Sequence, residues 1–199
     1  MKYIRLFEEQ INEIGDASLK PFKWKLSKPY SGFYYNSPQE FKKELDKKDL
    51  DDGLTMYQFT TDKGTQYEVE IEFRVYSTGE PVQLSVDVNF WTSKNGDRNR
   101  EMELTGQHEL FPVMATITDI CLHWVNLWDK HFYMKRIEIE PKREDDDYGI
   151  DATDSRRGRI YLQYIRKQLS KLKNPNGKYL VKVHNDFFKI EPSWYPEDQ

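Results

Sequence analysis

A single cysteine, Cys121, stands in a chain of 199 residues. An internal disulfide framework and a cysteine-rich zinc site are therefore excluded. No apolar run approaches the roughly 18 residues that a membrane span needs. The opening segment, MKYIRLFEEQINEIG, is charged throughout and has no apolar centre, so no secretory leader is expected. Glycine-rich phosphate loops of the Walker or Rossmann kind are missing, as are a Gly-x-Ser-x-Gly elbow and a His-Glu-x-x-His pair. A surplus of one charge sign is missing too. The net charge is –4 and the isoelectric point is near 5.7, which gives no global case for nucleic acid or an anionic membrane. Aromatic residues, by contrast, reach 15%, too many for a disordered chain even though 32% of residues are charged. The expectation is an intracellular protein with one core.

The pattern along the chain predicts the elements. Residues 1–14 place Ile4, Phe7, Ile11 and Ile14 on one face of a short helix, with Gly15 as its stop. From Asp16 to Ser37, prolines 21 and 29 are mixed with Phe22, Trp24, Tyr30, Phe33, Tyr34 and Tyr35. That composition reads as an extended aromatic arm packed on the main body, with a strand at Phe22–Leu26. Residues 38–52 read as a short charged helix or an ordered insertion. Pro38 stands at its start, and Phe41 and Leu45 are its apolar pair at helical spacing.

A short strand at Tyr57–Thr61 and a turn at Asp62-Lys63-Gly64 follow. Tyr67, Val69, Ile71, Phe73 and Val75 then alternate with Glu68, Glu70, Glu72 and Arg74, which predicts a strand with one dry face and one wet face. The second alternation, Val82 to Phe90, continues the meander. Asn95-Gly96 signals a hairpin whose return strand is expected at Arg100–Leu104. The period then changes. Leu110, Val113, Met114, Ile117, Ile120, Cys121, Trp124, Val125 and Trp128 form a wide helical stripe. A strand at 134–140, an acidic loop, a helix at 154–172 and a hairpin formed by 179–183 and 187–190 complete the order. The fold class expected is α+β: an antiparallel meander leading into a mixed sheet covered by two main helices. The division expected is an N-terminal helix, arm and charged segment over 1–52, a core over 53–191 and a tail over 192–199.

Few residues point to chemistry. The histidines, 108, 123, 131 and 184, are scattered, and His123 and Cys121 face different sides of their helix. Asp145-x-Asp147-x-Gly149-x-Asp151 starts like a calcium loop, but the twelfth position, where a bidentate acid is required, is Arg156. No metal site and no catalytic residue is therefore assigned. Two candidate surfaces remain. Arg156, Arg157 and Arg159 open the last predicted helix, where free N–H groups and the helix dipole already favour an anion. The plainer reading is that they neutralise the acidic loop before them. Lys23, Trp24 and Lys25 lie in a stretch where lysines and aromatics interleave, which suits a partner surface or a single nucleic-acid strand. The plainer reading is strand alternation, with Trp24 inward and the lysines outward.

Several segments also carry a resemblance. They are Glu13–Trp24 with its Lys20-Pro21-Phe22-Lys23-Trp24 arm, Tyr57-Gln58-Phe59-Thr60-Thr61-Asp62-Lys63-Gly64, Leu110–Ile120 with Val113-Met114-Ala115-Thr116, and Ser155–Tyr161 with Tyr164-Ile165. In that order they resemble a group of small proteins of tailed bacteriophages that have no established activity. The resemblance implies a phage source and a layout. The missing catalytic constellation, beside the aromatic surplus and a C-terminal third with an acidic run followed by basic residues, then leads to the expectation of a phage accessory or host-interaction protein acting by binding, in the host cytoplasm or in the virion. Its partner would be a host or phage protein, with nucleic acid less favoured, no membrane, and no cofactor.

The layout is also similar to the C-terminal part of GNAT-type acetyltransferases, in which helices and strands follow an antiparallel meander. This implies acetyl-CoA as a cofactor under an alternative enzyme reading. The departure lies at Thr105-Gly106-Gln107-His108-Glu109-Leu110-Phe111-Pro112, where those enzymes carry a glycine-rich pyrophosphate turn. Glu109 opposes phosphate by charge, and Pro112 lacks an N–H.

Overall fold

The computed structural model describes residues 20–28, 33–47, 51–79, 81–94, 97–99, 110–139, 179–183 and 188–192. The predicted helices at 1–14 and 154–172, the acidic loop and the Arg156–Arg159 turn lie outside these residues. The described elements are β1 (Trp24–Ser27), α1 (Pro38–Asp46), β2 (Asp52–Thr60), β3 (Gln66–Ser77), β4 (Gln83–Lys94) and β5 (Asp97–Asn99). They continue with α2 (Leu110–Trp128), β6 (Tyr133–Ile139), β7 (Tyr179–Val183) and β8 (Phe188–Pro192).

All the strands join one mixed sheet in the order β1-β2-β3-β4-β6-β8-β7, with β5 added beside β4. The first four strands are an antiparallel meander. β4 and β6 then pair in parallel, which requires a crossover, and α2 supplies it. The class is α+β, as the pattern predicts.

The alternation in β3 sets the register. Tyr67, Val69, Ile71 and Phe73 face α2, beside Thr55, Tyr57 and Phe59 of β2 and Val86, Val88 and Phe90 of β4. From α2 come Val113, Met114, Ile117, Ile120, Trp124, Val125 and Trp128. Trp124 and Trp128 stack at 4.8 Å, and Phe73 lies 4.4 Å from Trp128. α1 closes the same core. Ser37 caps it, its hydroxyl accepting from the Glu40 N–H, and Phe41 enters the aromatic cluster.

Three expectations are corrected. First, the opposite face of β3 is not wet along its length: Glu68 is 3% exposed and Glu70 is 7% exposed. Register places them beside Met56 and Trp91, both buried on that same face, and Glu68 accepts the Trp91 indole N–H at 2.9 Å. Period-two alternation identifies the apolar face, but it cannot say whether the polar face is covered.

Second, β2 begins at Asp52, not at Tyr57. Asp51-Asp52-Gly53 has the composition of a turn, yet Gly53 lies within the strand because rings cross over it. A Cβ there would meet Phe73 Cζ and Tyr35 Cδ2, each at 2.7 Å. Gly53→Ala is therefore expected to lose about 1–3 kcal/mol of stability through overpacking. Chemical denaturation should show the loss, and it should shrink in a Phe73→Leu background.

Third, the return strand of the β4 hairpin starts at Asp97, directly after Asn95-Gly96, with Lys94 opposite Asp97. The stretch 100–104 lies outside the described residues.

Two turns show why particular residues stand where they do. Gly64 has φ of 85°, and its N–H donates to the Thr61 carbonyl at 2.9 Å. A three-residue loop ending on a left-handed residue suits glycine. In β6 the register skips Lys135, since Leu84 pairs with Met134 and Ser85 with Arg136. That bulge lets Met134 and Ile137, three residues apart, both enter the core.

Asp129 follows the last turn of α2, where the negative end of the helix dipole opposes its charge. Burial raises its pKa above the usual carboxylate value. The folded state thus holds that proton more tightly than the unfolded chain does. The associated stability is present below the unfolded pKa, about 3.9, and is lost as pH rises through the raised folded value. Asp129→Asn is expected to add about 0.3–1 kcal/mol at neutral pH. In thermal melts the gain should vanish towards acid pH.

Candidate interaction surface

The arm predicted from its prolines and aromatics is paired to β2 through β1 and is fastened to α2 at two points. The Phe22 N–H donates to Thr116 Oγ1 at 2.8 Å, and the Trp24 indole N–H donates to Asp119 Oδ2 at 2.8 Å. Thr116 in turn donates to the Pro112 carbonyl at 2.7 Å. The rings follow the same path. Phe22 stacks on Phe59 at 6.0 Å, and Trp24 meets Tyr57 edge-on at 5.3 Å and His123 at 4.9 Å. Three of the motifs quoted above therefore meet in one place: the Pro21-Phe22-Lys23-Trp24 arm, the Tyr57-Gln58-Phe59 strand and the Val113-Met114-Ala115-Thr116 helix. The arm's rings pack on those of the strand, and its main chain bonds to Thr116 of the helix.

This anchoring sorts the predicted triplet. The Trp24 ring and its N–H are turned inward, while Lys23 and Lys25 are exposed. Lys20 and Lys28 are exposed as well. β1 ends the sheet order, so its outer edge has no strand neighbour among the described residues. On the same edge Leu26 is 45% exposed and Phe33 is 55% exposed. Phe33 is held there because its carbonyl accepts the Leu54 N–H at 2.9 Å, and Tyr34 bridges to Leu54 in parallel. Leu26 pairs with Tyr57, further along β2. Leu26 and Phe33 thus lie along one rim of β2. Sequence reasoning found the lysines but not Leu26 and Phe33. An aromatic in a Tyr-rich arm gives no sign of which ring is left outside.

The remaining reactive groups lie elsewhere. Burial pushes the Cys121 thiol up to about 12, which keeps it protonated and unreactive at neutral pH. On the polar face of the sheet, Glu72, Asp87 and Glu138 form one cross-strand row, and Arg74, Ser85 and Arg136 form the next. Arg136 donates to Ser85 Oγ at 2.7 Å and pairs with Glu138 at 3.2 Å, so the two rows neutralise each other where they touch. Among the described residues no three His, Cys, Asp or Glu side chains are grouped to hold a metal ion, and no helix is long and apolar enough to cross a membrane. The Arg156, Arg157 and Arg159 candidate lies outside the described residues. Compared with protein-family models, curated proteins and solved structures, the chain matches none of them.

Proposed function

We propose that this protein acts by binding another macromolecule, as a phage-encoded accessory or host-interaction protein, and that the outer rim of β1 is its contact surface. The observation that carries this reading is the concentration of exposed lysines and apolar side chains on one sheet edge, which has no strand neighbour among the described residues. Four exposed lysines and two exposed large apolar side chains border a strand that ends the sheet. The rim is pre-organised, since Thr116 and Asp119 hold the arm to α2. Little ordering entropy is then lost on contact.

The test compares the native protein with a Lys23→Glu/Lys25→Glu variant, each immobilised and exposed to a lysate of the bacterial host. A partner retained by the native protein and released by the variant is the expected result. A partner retained equally by both moves the contact to another surface. Retention no greater than on a blank support overturns the binding reading.

A second reading, a divergent acetyltransferase that binds acetyl-CoA, is favoured by one feature of the sheet. Along a single edge of β4, β6 pairs with Gln83–Val88, and β5 pairs with Thr92–Lys94. The parallel partner must leave β4 between these stretches, and ligands of sheets with parallel strands bind near the carboxyl ends of such strands. Acetyl-CoA should then raise the melting temperature, because a ligand that binds only the native state stabilises it. An unchanged melting temperature at millimolar acetyl-CoA would remove this reading.

A further inference from the structure

The binding reading above names a surface but no chemistry for the partner. Resting on that reading, we propose that the outer edge of β1 accepts an extended acidic segment of another protein as an added strand. The charge distribution is the first argument. Between Asp16 and Glu40 the chain carries lysines 20, 23, 25 and 28 and no acidic residue, giving +4 locally in a protein of net charge –4. All four of these lysines are exposed. An edge strand also presents unpaired main-chain N–H and C=O groups along its outer side, and an extended peptide satisfies them as a further strand of the sheet. Leu26 and Phe33 supply apolar contacts beside that line, so an apolar side chain between the acids has a place to rest.

The other occupants fit less well. A second copy adding its own β1 would bring like-charged lysines together across the new pair, which is destabilising. Edge lysines guard against self-pairing for the same reason. A nucleic-acid strand would need stacking platforms. The Phe22 ring is stacked on Phe59 and the Trp24 ring lies against Tyr57 and His123, which leaves Phe33 as a single exposed ring on this rim, among the described residues, rather than a row of platforms.

The test uses the full chain and a fluorescein-labelled peptide of alternating Glu and Val, about eight residues long to match a short strand, read by anisotropy. Binding is expected that weakens with added salt. It should fall roughly tenfold or more in Lys23→Glu/Lys25→Glu, whose melting temperature should match the native one. The same peptide N-methylated at alternate backbone amides should lose binding, because it can no longer pair as a strand. An alternating Lys-Val peptide should not bind.

Several results overturn the proposal. They are no binding at millimolar peptide, equal binding by the N-methylated or Lys-Val peptide, displacement by an oligothymidine that binds more tightly, or sedimentation showing a dimer that the peptide leaves intact. The peptide variants decide the question even if the double substitution fails to fold. A protein that captures a host partner but ignores the acidic strand loses this inference and keeps the binding reading.

Discussion

Replacing Phe41 by alanine is expected to remove about 3–5 kcal/mol of stability, the range for truncating a buried aromatic. For a chain of this length that lowers the melting temperature by roughly 10 °C. The reason lies in how α1 is held. The helix PQEFKKELD has nine residues, too few to persist alone in water. Its cap contributes locally, with Ser37 accepting from the Glu40 N–H and Glu40 accepting from the Asn36 N–H. Tertiary contact comes from the buried Pro38, from Leu45 packed against the core and from Gln39 bonded to His131, but above all from one ring. Phe41 is 0% exposed and lies within 6 Å of Tyr35, Phe73, Trp128 and Phe132. Two of these contacts, to Tyr35 and Phe73, are edge-to-face, the favoured geometry for ring pairs. The alanine variant should therefore lose hydrogen-exchange protection over 38–46 before the rest of the sheet opens. Phe41→Leu, which keeps most of the volume, should lose less than half as much. A Phe41→Ala protein with native stability would mean that α1 is held some other way.

Phe41 also shows where a single sequence stops being informative. Residues 38–52 read as a short charged helix or an ordered insertion, and the helix is what forms at Pro38–Asp46. Hidden was the depth of Phe41, because hydrophobic spacing marks a face and not how far that face is buried. The long periodic segments were legible as faces. β3, β4 and α2 each repeat their apolar signal over three or more positions, and register follows once the strands pair. Features that depend on a neighbouring element were not legible. The turn-like Asp52-Gly53 became strand because Phe73 and Tyr35 need the space. The row of glutamates read as solvent-facing contains two buried members, because burial of the second face is decided by other parts of the chain. The Lys135 bulge, which brings Met134 and Ile137 to one side, is invisible to a period-two count.

The candidate surface divides in the same way. Alternation around Trp24 correctly separated an inward ring from outward lysines. The exposure of Leu26 arises from the sheet ending at β1, a fact of topology rather than of local pattern. The arginine candidate at 156–159 falls outside the described residues, so the lysine rim carries the functional proposal.

Thr55→Val is expected to have the other large effect, although it keeps the shape of the side chain. Thr55 is 1% exposed and its hydroxyl serves two elements at once. It donates to the Tyr35 carbonyl at 3.0 Å and accepts the Trp124 indole N–H at 3.1 Å. One oxygen therefore joins the segment before α1, the strand β2 and the helix α2. Valine fills the volume but leaves a carbonyl and an indole N–H without that partner in the core. An unsatisfied buried group costs about 1–3 kcal/mol, so the pair implies a loss of roughly 2–6 kcal/mol. Thr55→Ser, which keeps the hydroxyl, should retain more stability than Thr55→Val despite losing a methyl group. A double-mutant cycle isolates the Trp124 contribution. In a Trp124→Phe background there is no indole N–H to strand, so Thr55→Val should be milder there by about 1 kcal/mol or more. Equal losses in both backgrounds would show that the bond from Trp124 adds nothing to stability. The interaction between α2 and β2 would then rest on ring packing alone.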